Sequence, residues 1–276
     1  MRRPRAAIVV TGSELVRGAR SDANGPFLAA RVLELGFDPD RVHIVGDGAD
    51  DLRAAVSAGL GADLLVTSGG LGPTHDDRTI PVLAQAAGRS LVVDESLLEA
   101  IGAISRRAAA RLGRPYADFE AGVVKQATLP QGAEALGLAG TAPAVLLEHE
   151  GRVAVALPGP PPELRELWSN AVAHPAVTRL VAGTPLRSHS VLRFFGPSES
   201  AVARALAEAG GESDGVDVTV CARNLEIHVD LYVEQEAQGR GDGLESALVG
   251  EFGERLFARD ETSVEEIVLS ACRDRG

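Results

Sequence analysis

Thr67-Ser68-Gly69-Gly70-Leu71-Gly72-Pro73-Thr74-His75-Asp76-Asp77 is the stretch from which both the fold and the chemistry of this chain can be read. Ala62-Asp63-Leu64-Leu65-Val66 precedes it, a short and mostly apolar run of strand type, and residues 79–87 follow with a helical pattern. A glycine-rich turn between a strand and a helix presents backbone N–H groups and a helix N-terminus, the usual way to hold a phosphate. This turn adds hydroxyls and ends in adjacent carboxylates, so phosphate donors stand beside oxygen ligands suited to a divalent cation. A plainer reading is that Gly-Gly-x-Gly makes a tight turn and the Asp pair caps the next helix.

Working outward, a strand is expected over 6–10, then a helix marked by Phe27, Leu28, Val32, Leu33 and Leu35 and closed by Gly36. A second strand over 41–45 leads to a helix capped by Asp50 or Asp51, and a third strand over 62–67 enters the glycine loop. This βαβαβ rhythm predicts an α/β fold, a parallel sheet with helices on both faces. Ligands in such sheets sit beyond the C-terminal ends of the strands. The clusters at 11–14, Gly46-Asp47 and 68–77 all fall there.

Further along, a long helix is expected over 95–112 and paired strands over 144–148 and 152–157 around Glu150-Gly151. A break at 158–162 precedes a helix over 164–172, whose Trp168 reads as core or interface. Thr184-Pro185 marks a domain junction. Beyond it the order is strand, helix, two strands and helix, a small α+β domain without a basic face, so RNA is not an expected partner.

The 276 residues, 45% hydrophobic and 24% charged, have the balance of an ordinary globular chain. A net charge of −12 argues against nucleic acid held by a broad basic surface but leaves room for an anionic small molecule on a local nest of N–H groups. Met1-Arg2-Arg3-Pro4-Arg5 is followed by too short an apolar run for a signal peptide, and no segment reads as a membrane span; a cytoplasmic protein is expected. Cys221 and Cys272 are too few for a disulfide framework or zinc site and read as buried or incidental thiols.

With the loop stand Thr11-Gly12-Ser13-Glu14-Leu15, Asp22-Ala23-Asn24-Gly25-Pro26-Phe27-Leu28, Gly140-Thr141-Ala142-Pro143 and Leu157-Pro158-Gly159-Pro160-Pro161, in that order along the chain. Together they resemble the competence/damage-inducible CinA proteins. The segment from Arg193 to Ser200 is similar to the start of that family's middle domain. The resemblance implies a three-layer, parallel-sheet domain of the MogA/MoaB type over 1–183, a KH-like α+β domain over 186–258, and over 259–276 the start of a C-terminal domain. Thr262-Ser263-Val264-Glu265 reads as a capping box opening a helix that runs to Arg273-Asp274-Arg275-Gly276. The deamidase nucleophile motif of full-length relatives is missing from these residues, so no nicotinamide mononucleotide deamidase activity is expected.

By the same resemblance the first domain hydrolyses ADP-ribose to AMP and ribose 5-phosphate with a divalent cation, and the protein is a homodimer. Alternatives are a molybdopterin-binding or adenylyl-transferring protein and a non-catalytic nucleotide-binding module. Splitting a pyrophosphate needs held oxygens, a charge-offsetting cation and an oriented water. Ser68, Gly69, Gly70, Gly72 and Thr74 are expected to hold phosphate, with Asp76 and Asp77 as cation ligands and Glu14 as a third ligand or the base. Mg²⁺ suits these oxygen donors better than Zn²⁺. Asp47 is expected to meet ribose hydroxyls or the metal, or to cap a helix; Asn24 to donate to a phosphate or a base, or simply to begin its helix. The matching motifs imply that Gly12, Ser13, Thr141, Pro158 and Gly159 join the site. Where the family has Asn-Arg this chain has Val123-Val124, which leaves Lys125 to carry the cation's role. Ala144 replaces a usual glycine, and His75 reads as a loop residue.

Overall fold

The computed structural model describes residues 2–185, 187–223, 225–260 and 262–274. The chain divides between Thr184 and Pro185 into two units. In the first, Arg5–Thr11 forms β1, Ser13–Val16 the single turn α1, Asn24–Glu34 α2, Asp38–Val45 β2, Ala49–Gly59 α3, Leu64–Ser68 β3 and Thr79–Ala86 α4. Then come β4 (Leu91–Val93), α5 (Glu95–Leu112), α6 (Ala117–Gln126), β5 (Thr128–Pro130), β6 (Glu134–Leu138), β7 (Pro143–His149), β8 (Arg152–Leu157), α7 (Pro161–Ala173) and α8 (Pro175–Leu180).

Six strands make one sheet in the order β2-β1-β3-β8-β7-β6, and β4 pairs with β5 separately. Strands β2, β1, β3 and β8 are parallel, as the βαβαβ rhythm predicts, but β7 and β6 are antiparallel additions. The sheet is therefore mixed. The cause is local: Glu150 and Gly151 have φ of 51° and 77°, and a two-residue turn left-handed at both positions joins β7 to β8 as a hairpin.

The central strands are buried on both faces, which is why they read as continuous apolar runs. Ala6, Ile8 and Val10 of β1 pack with Leu28, Val32, Leu164 and Trp168, while Ala7 and Val9 pack with Leu52, Val56 and Leu83 on the other side. Trp168 thus belongs to the core. Helices α2 and α3 have 11 residues each, too few to persist alone in water. Burial worth ~1.5–3 kcal/mol per large apolar side chain holds them instead. Asp50 and Asp51 lie inside the first turn of α3 behind Gly48, and neither caps it; they complement its dipole.

The second unit contains β9 (Arg187–Phe195), α9 (Glu199–Glu208), β10 (Val216–Arg223), β11 (Glu226–Glu234), α10 (Gln238–Phe252), β12 (Leu256–Ala258) and α11 (Val264–Asp274). Its sheet is antiparallel in the order β10-β11-β9-β12. Leu192, Phe194, Val229 and Leu231 face Val202 and Leu206 of α9 and Leu244 and Leu248 of α10. The capping box of α11 falls one residue later than the sequence pattern placed it. Ser263 N–H donates to Glu266 Oε2 at 2.9 Å, and Glu266 N–H donates to Ser263 Oγ at 3.2 Å. Arg275 and Gly276 lie outside the described residues. Cys221 and Cys272 are both free and exposed, so of the two readings, buried or incidental thiols, the first is excluded. Among the described residues no helix is long and apolar enough to cross a membrane.

Candidate functional site

Because β1, β3 and β8 are parallel, the loops that leave their C-terminal ends meet on one edge of the first unit's sheet. A cavity of about 650 Å³ opens there. Of the residues expected from sequence, Gly12, Glu14, Asn24, Asp47, Ser68, Gly69, Gly70, Gly72, Asp76, Asp77, Thr141, Pro158 and Gly159 line it. Ser13, Thr74 and Lys125 do not: Ser13 and Thr74 each hold a carboxylate that does, and Lys125 reaches only Thr74.

The glycine loop owes its path to two left-handed residues, Gly69 at φ 97° and Gly70 at φ 68°. A Cβ on Gly69 would sit 2.6 Å from the Thr11 carbonyl oxygen, and one on Gly70 would run into the Thr79 hydroxyl. Thr79 ties the loop to α4: its hydroxyl donates to the Gly69 carbonyl at 2.7 Å and its N–H to that of Gly70 at 3.1 Å. The N–H groups of Gly70, Leu71 and Gly72, all at the cavity wall, have no protein acceptor among the described residues. These are the donors a phosphate would meet.

The Asp pair does not cap α4, whose N-cap position is Arg78 and carries no side-chain cap. The carboxylates turn back to Thr74 instead. Thr74 N–H and hydroxyl donate to Asp77 Oδ2 at 2.9 and 2.6 Å, and the hydroxyl also contacts Asp76 Oδ1. Hydrogen bonding from Thr74, with a backbone N–H, holds the Asp76 carboxyl below its ordinary pKa, so Asp76 is ionised at neutral pH. Lys125 donates to the Thr74 carbonyl. Burial pulls its pKa down, and the attraction of Asp77 and Asp76 opposes that. Lys125 and Asp77 both line a smaller cavity of about 140 Å³ behind the loop. His75 is exposed, as a loop residue should be.

On the β1 side, Asp47 accepts from Thr11 Oγ1 at 3.2 Å and from Ser13 N–H at 3.0 Å, so it braces the entry to α1. Asn24 is buried, and its amide donates to Ser68 Oγ at 2.9 Å and to the Gly159 carbonyl at 2.7 Å. Its NH₂ group thereby joins three motifs. Asp22 accepts from the N–H groups of Asn24 and Gly25 at 2.8 and 3.0 Å and so caps α2.

Sequence reasoning missed four charged or amide side chains of the cavity wall: Arg20, Asp22, Gln126 and Glu163. Gln126 Nε2 donates to the Leu71 carbonyl at 3.1 Å and steadies the glycine loop from α6. Glu163, in the first turn of α7, lies against Gly140, where a Cβ would meet Oε1 at 2.7 Å. Burial, then repulsion from Glu166, raises its pKa. A signal for Glu163 was present in the sequence: it directly follows the Pro-rich break over 158–162, at a helix start.

Among the described residues no three His, Cys, Asp or Glu side chains gather into a group that could hold a metal ion. The expected set of Glu14, Asp76 and Asp77 is therefore not one ligand cluster. Glu14 folds over Gly12, whereas Asp77 folds over Gly72 and onto Thr74. The Asp76–Asp77 pair alone still suits Mg²⁺, which commonly takes one or two carboxylates and completes its shell from substrate phosphates and water.

Residues 7–179 match the family described as a probable molybdopterin binding domain, and the chain belongs to that family. Over nearly its whole length it is, more narrowly, CinA-like. It is 38% identical over 277 residues to the CinA-like protein of Mycolicibacterium paratuberculosis, an alignment covering 96% of this chain and 64% of that one. To the CinA-like protein of Mycobacterium tuberculosis it is 37% identical over 283 residues, covering 98% and 65%. The chain thus spans just under two thirds of the length of these relatives. The crystal structure of the protein CinA, of unknown function, from Thermoplasma acidophilum is similar with a TM-score of 0.54 and 29% identity, over 62% of this chain and 96% of that one.

Proposed function

We propose that the cavity hydrolyses the diphosphate of ADP-ribose to AMP and ribose 5-phosphate with the help of a divalent cation. One observation carries this reading: N–H groups of Gly70, Leu71 and Gly72, without a protein acceptor among the described residues, stand in the same loop as the Asp76–Asp77 pair. The amides hold phosphate oxygens and favour the charge that grows on them. Water attacks one phosphorus, the new P–O bond forms as the bridging P–O bond breaks, and the electron pair leaves on the bridging oxygen. Glu14, at the cavity wall and with its carboxylate unpartnered among the described residues, takes the proton of the water. Asp76 and Asp77 would hold the cation, which supplies charge compensation to the diphosphate. Six carboxylates (Glu14, Asp22, Asp47, Asp76, Asp77 and Glu163) line the cavity against one arginine. A bare diphosphate is therefore repelled, and binding itself, not turnover alone, depends on the cation.

The test is incubation of the purified protein with ADP-ribose in Mg²⁺ or in chelator, with AMP and ribose 5-phosphate separated by chromatography. Both products appear with Mg²⁺ and vanish with chelator; no AMP above the buffer blank overturns the reading. The family's description as a probable molybdopterin binding domain supports a second reading, binding and adenylylation of a pterin. Displacement of ADP-ribose by molybdopterin at lower concentration would favour it. Binding of ADP-ribose without turnover would favour a non-catalytic module. The resemblance to CinA proteins also supports a homodimer, which sedimentation at micromolar concentration reads directly.

A further inference from the structure

The charged groups of the cavity wall fall into two sets. Asp22, Asp47, Asp76 and Asp77 are all engaged by protein N–H or hydroxyl groups, which fixes their places. Glu14, Arg20 and Glu163 have no hydrogen-bond or ion-pair partner for their side chains among the described residues. Arg20 is the only lysine or arginine of the wall. It stays unpaired although carboxylates share the cavity with it.

The backbone that carries Arg20 is anchored on both sides. The Glu14 carbonyl accepts from Ala19 N–H at 2.9 Å and from Arg20 N–H at 3.3 Å, and Asp22 caps α2 two residues later. The loop is thus held while the guanidinium is left unengaged. It follows α1, while the Asp76–Asp77 pair follows β3, so the two approach the cavity from different loops.

We infer that Arg20 is a phosphate-binding residue of this cavity, taking phosphoryl oxygens of a nucleotide in its guanidinium fork. The identity of the nucleotide rests on the ADP-ribose reading; the phosphate chemistry does not. A guanidinium offers a planar pair of donors that matches phosphate oxygens, and it cannot lose its proton. It is also the one wall side chain that attracts an anion without a cation as intermediary.

Calorimetric titration with ADP-ribose, AMP and adenosine, in Mg²⁺, compares the parent with Arg20→Ala and Arg20→Lys. Arg20→Ala is expected to weaken AMP and ADP-ribose at least tenfold and to flatten the salt dependence of their binding, while adenosine, which has no phosphate, is bound as by the parent. Arg20→Lys restores part of the loss, and the melting temperature is unchanged throughout because Arg20 holds no protein group. Equal affinity of parent and Arg20→Ala for AMP overturns the inference, as does an equal loss for adenosine. A parent that binds ADP-ribose without splitting it, and loses it on Arg20→Ala, supports the inference and overturns the hydrolysis reading. A parent that splits ADP-ribose, and binds it unchanged in Arg20→Ala, does the reverse. A parent that binds none of the three overturns both.

Discussion

Asn24 and Ser68 are 44 residues apart in the chain and are joined by a 2.9 Å hydrogen bond between buried side chains. The same Asn24 amide reaches the Gly159 carbonyl at 2.7 Å, so one NH₂ group fastens the start of α2 to the end of β3 and to the loop after β8. Asn24→Ala leaves a buried hydroxyl and a carbonyl without their donor, at an expected cost of about 1–3 kcal/mol in urea denaturation. Asn24→Asp keeps the shape but puts a carboxylate against a carbonyl oxygen, and it is expected to be at least as damaging. An Asp variant as stable as the parent would show that the amide is not what joins these loops.

Gly70 and Gly88 have nearly equal φ values, 68° and 64°, but different surroundings. A Cβ on Gly88 meets nothing within 4 Å, whereas on Gly70 it strikes the Thr79 hydroxyl. Gly88→Ala is therefore expected to cost only the left-handed backbone strain, about 1–2 kcal/mol. Gly70→Ala is expected to cost more and to abolish phosphate binding, since the loop must move off Thr79. Equal melting temperatures for the two variants would remove steric contact from the explanation.

What could be read in the sequence was what depends on local pattern. Strand β1 and helix α5 are legible because buried apolar runs and a regular 3.6-residue stripe record their surroundings directly, and Asp94 and Gly113 mark the ends of α5. The antiparallel hairpin at Glu150-Gly151 is legible from its turn. The short strands β4, β5 and β6 are not, because three to five residues carry no period and their pairing is set by partners far along the chain. The site divides the same way. Glycines and carboxylates in one loop announce it, but that Asp77 turns back to Thr74, and that Gln126 and Glu163 arrive from α6 and α7, are facts of tertiary packing.

Glu163 gives a pH signature. Its folded-state pKa is raised by burial, so between about 4.5, its ordinary value, and the raised value the folded state holds a proton that the unfolded chain releases. Stability from this group is full below the ordinary value and is lost as pH rises through the raised one. Glu163→Gln removes the titration, so the variant is expected to gain stability relative to the parent as pH rises from 4 to 7. Thermal melts of both proteins across that range read the difference, and parallel curves would contradict the raised pKa.

Asp77 separates catalysis from architecture. It accepts from the N–H and hydroxyl of Thr74, and the side-chain oxygen of an asparagine can accept the same bonds. Asp77→Asn is therefore expected to keep the loop and the melting temperature while removing charge from the proposed cation site. Losing transition-state stabilisation of that kind costs roughly 3–4 kcal/mol, or about 10²–10³ in rate. Asp77→Ala loses both the charge and the brace, and it is expected to lower stability as well as rate. Asp76→Asn belongs in the same experiment, because adjacent carboxylates can share a cation. Its loss is expected to raise the Mg²⁺ concentration needed for half-maximal rate. If both single Asn variants hydrolyse ADP-ribose at the parent's rate with the same Mg²⁺ dependence, the pair serves only to hold Thr74, and the cation belongs elsewhere.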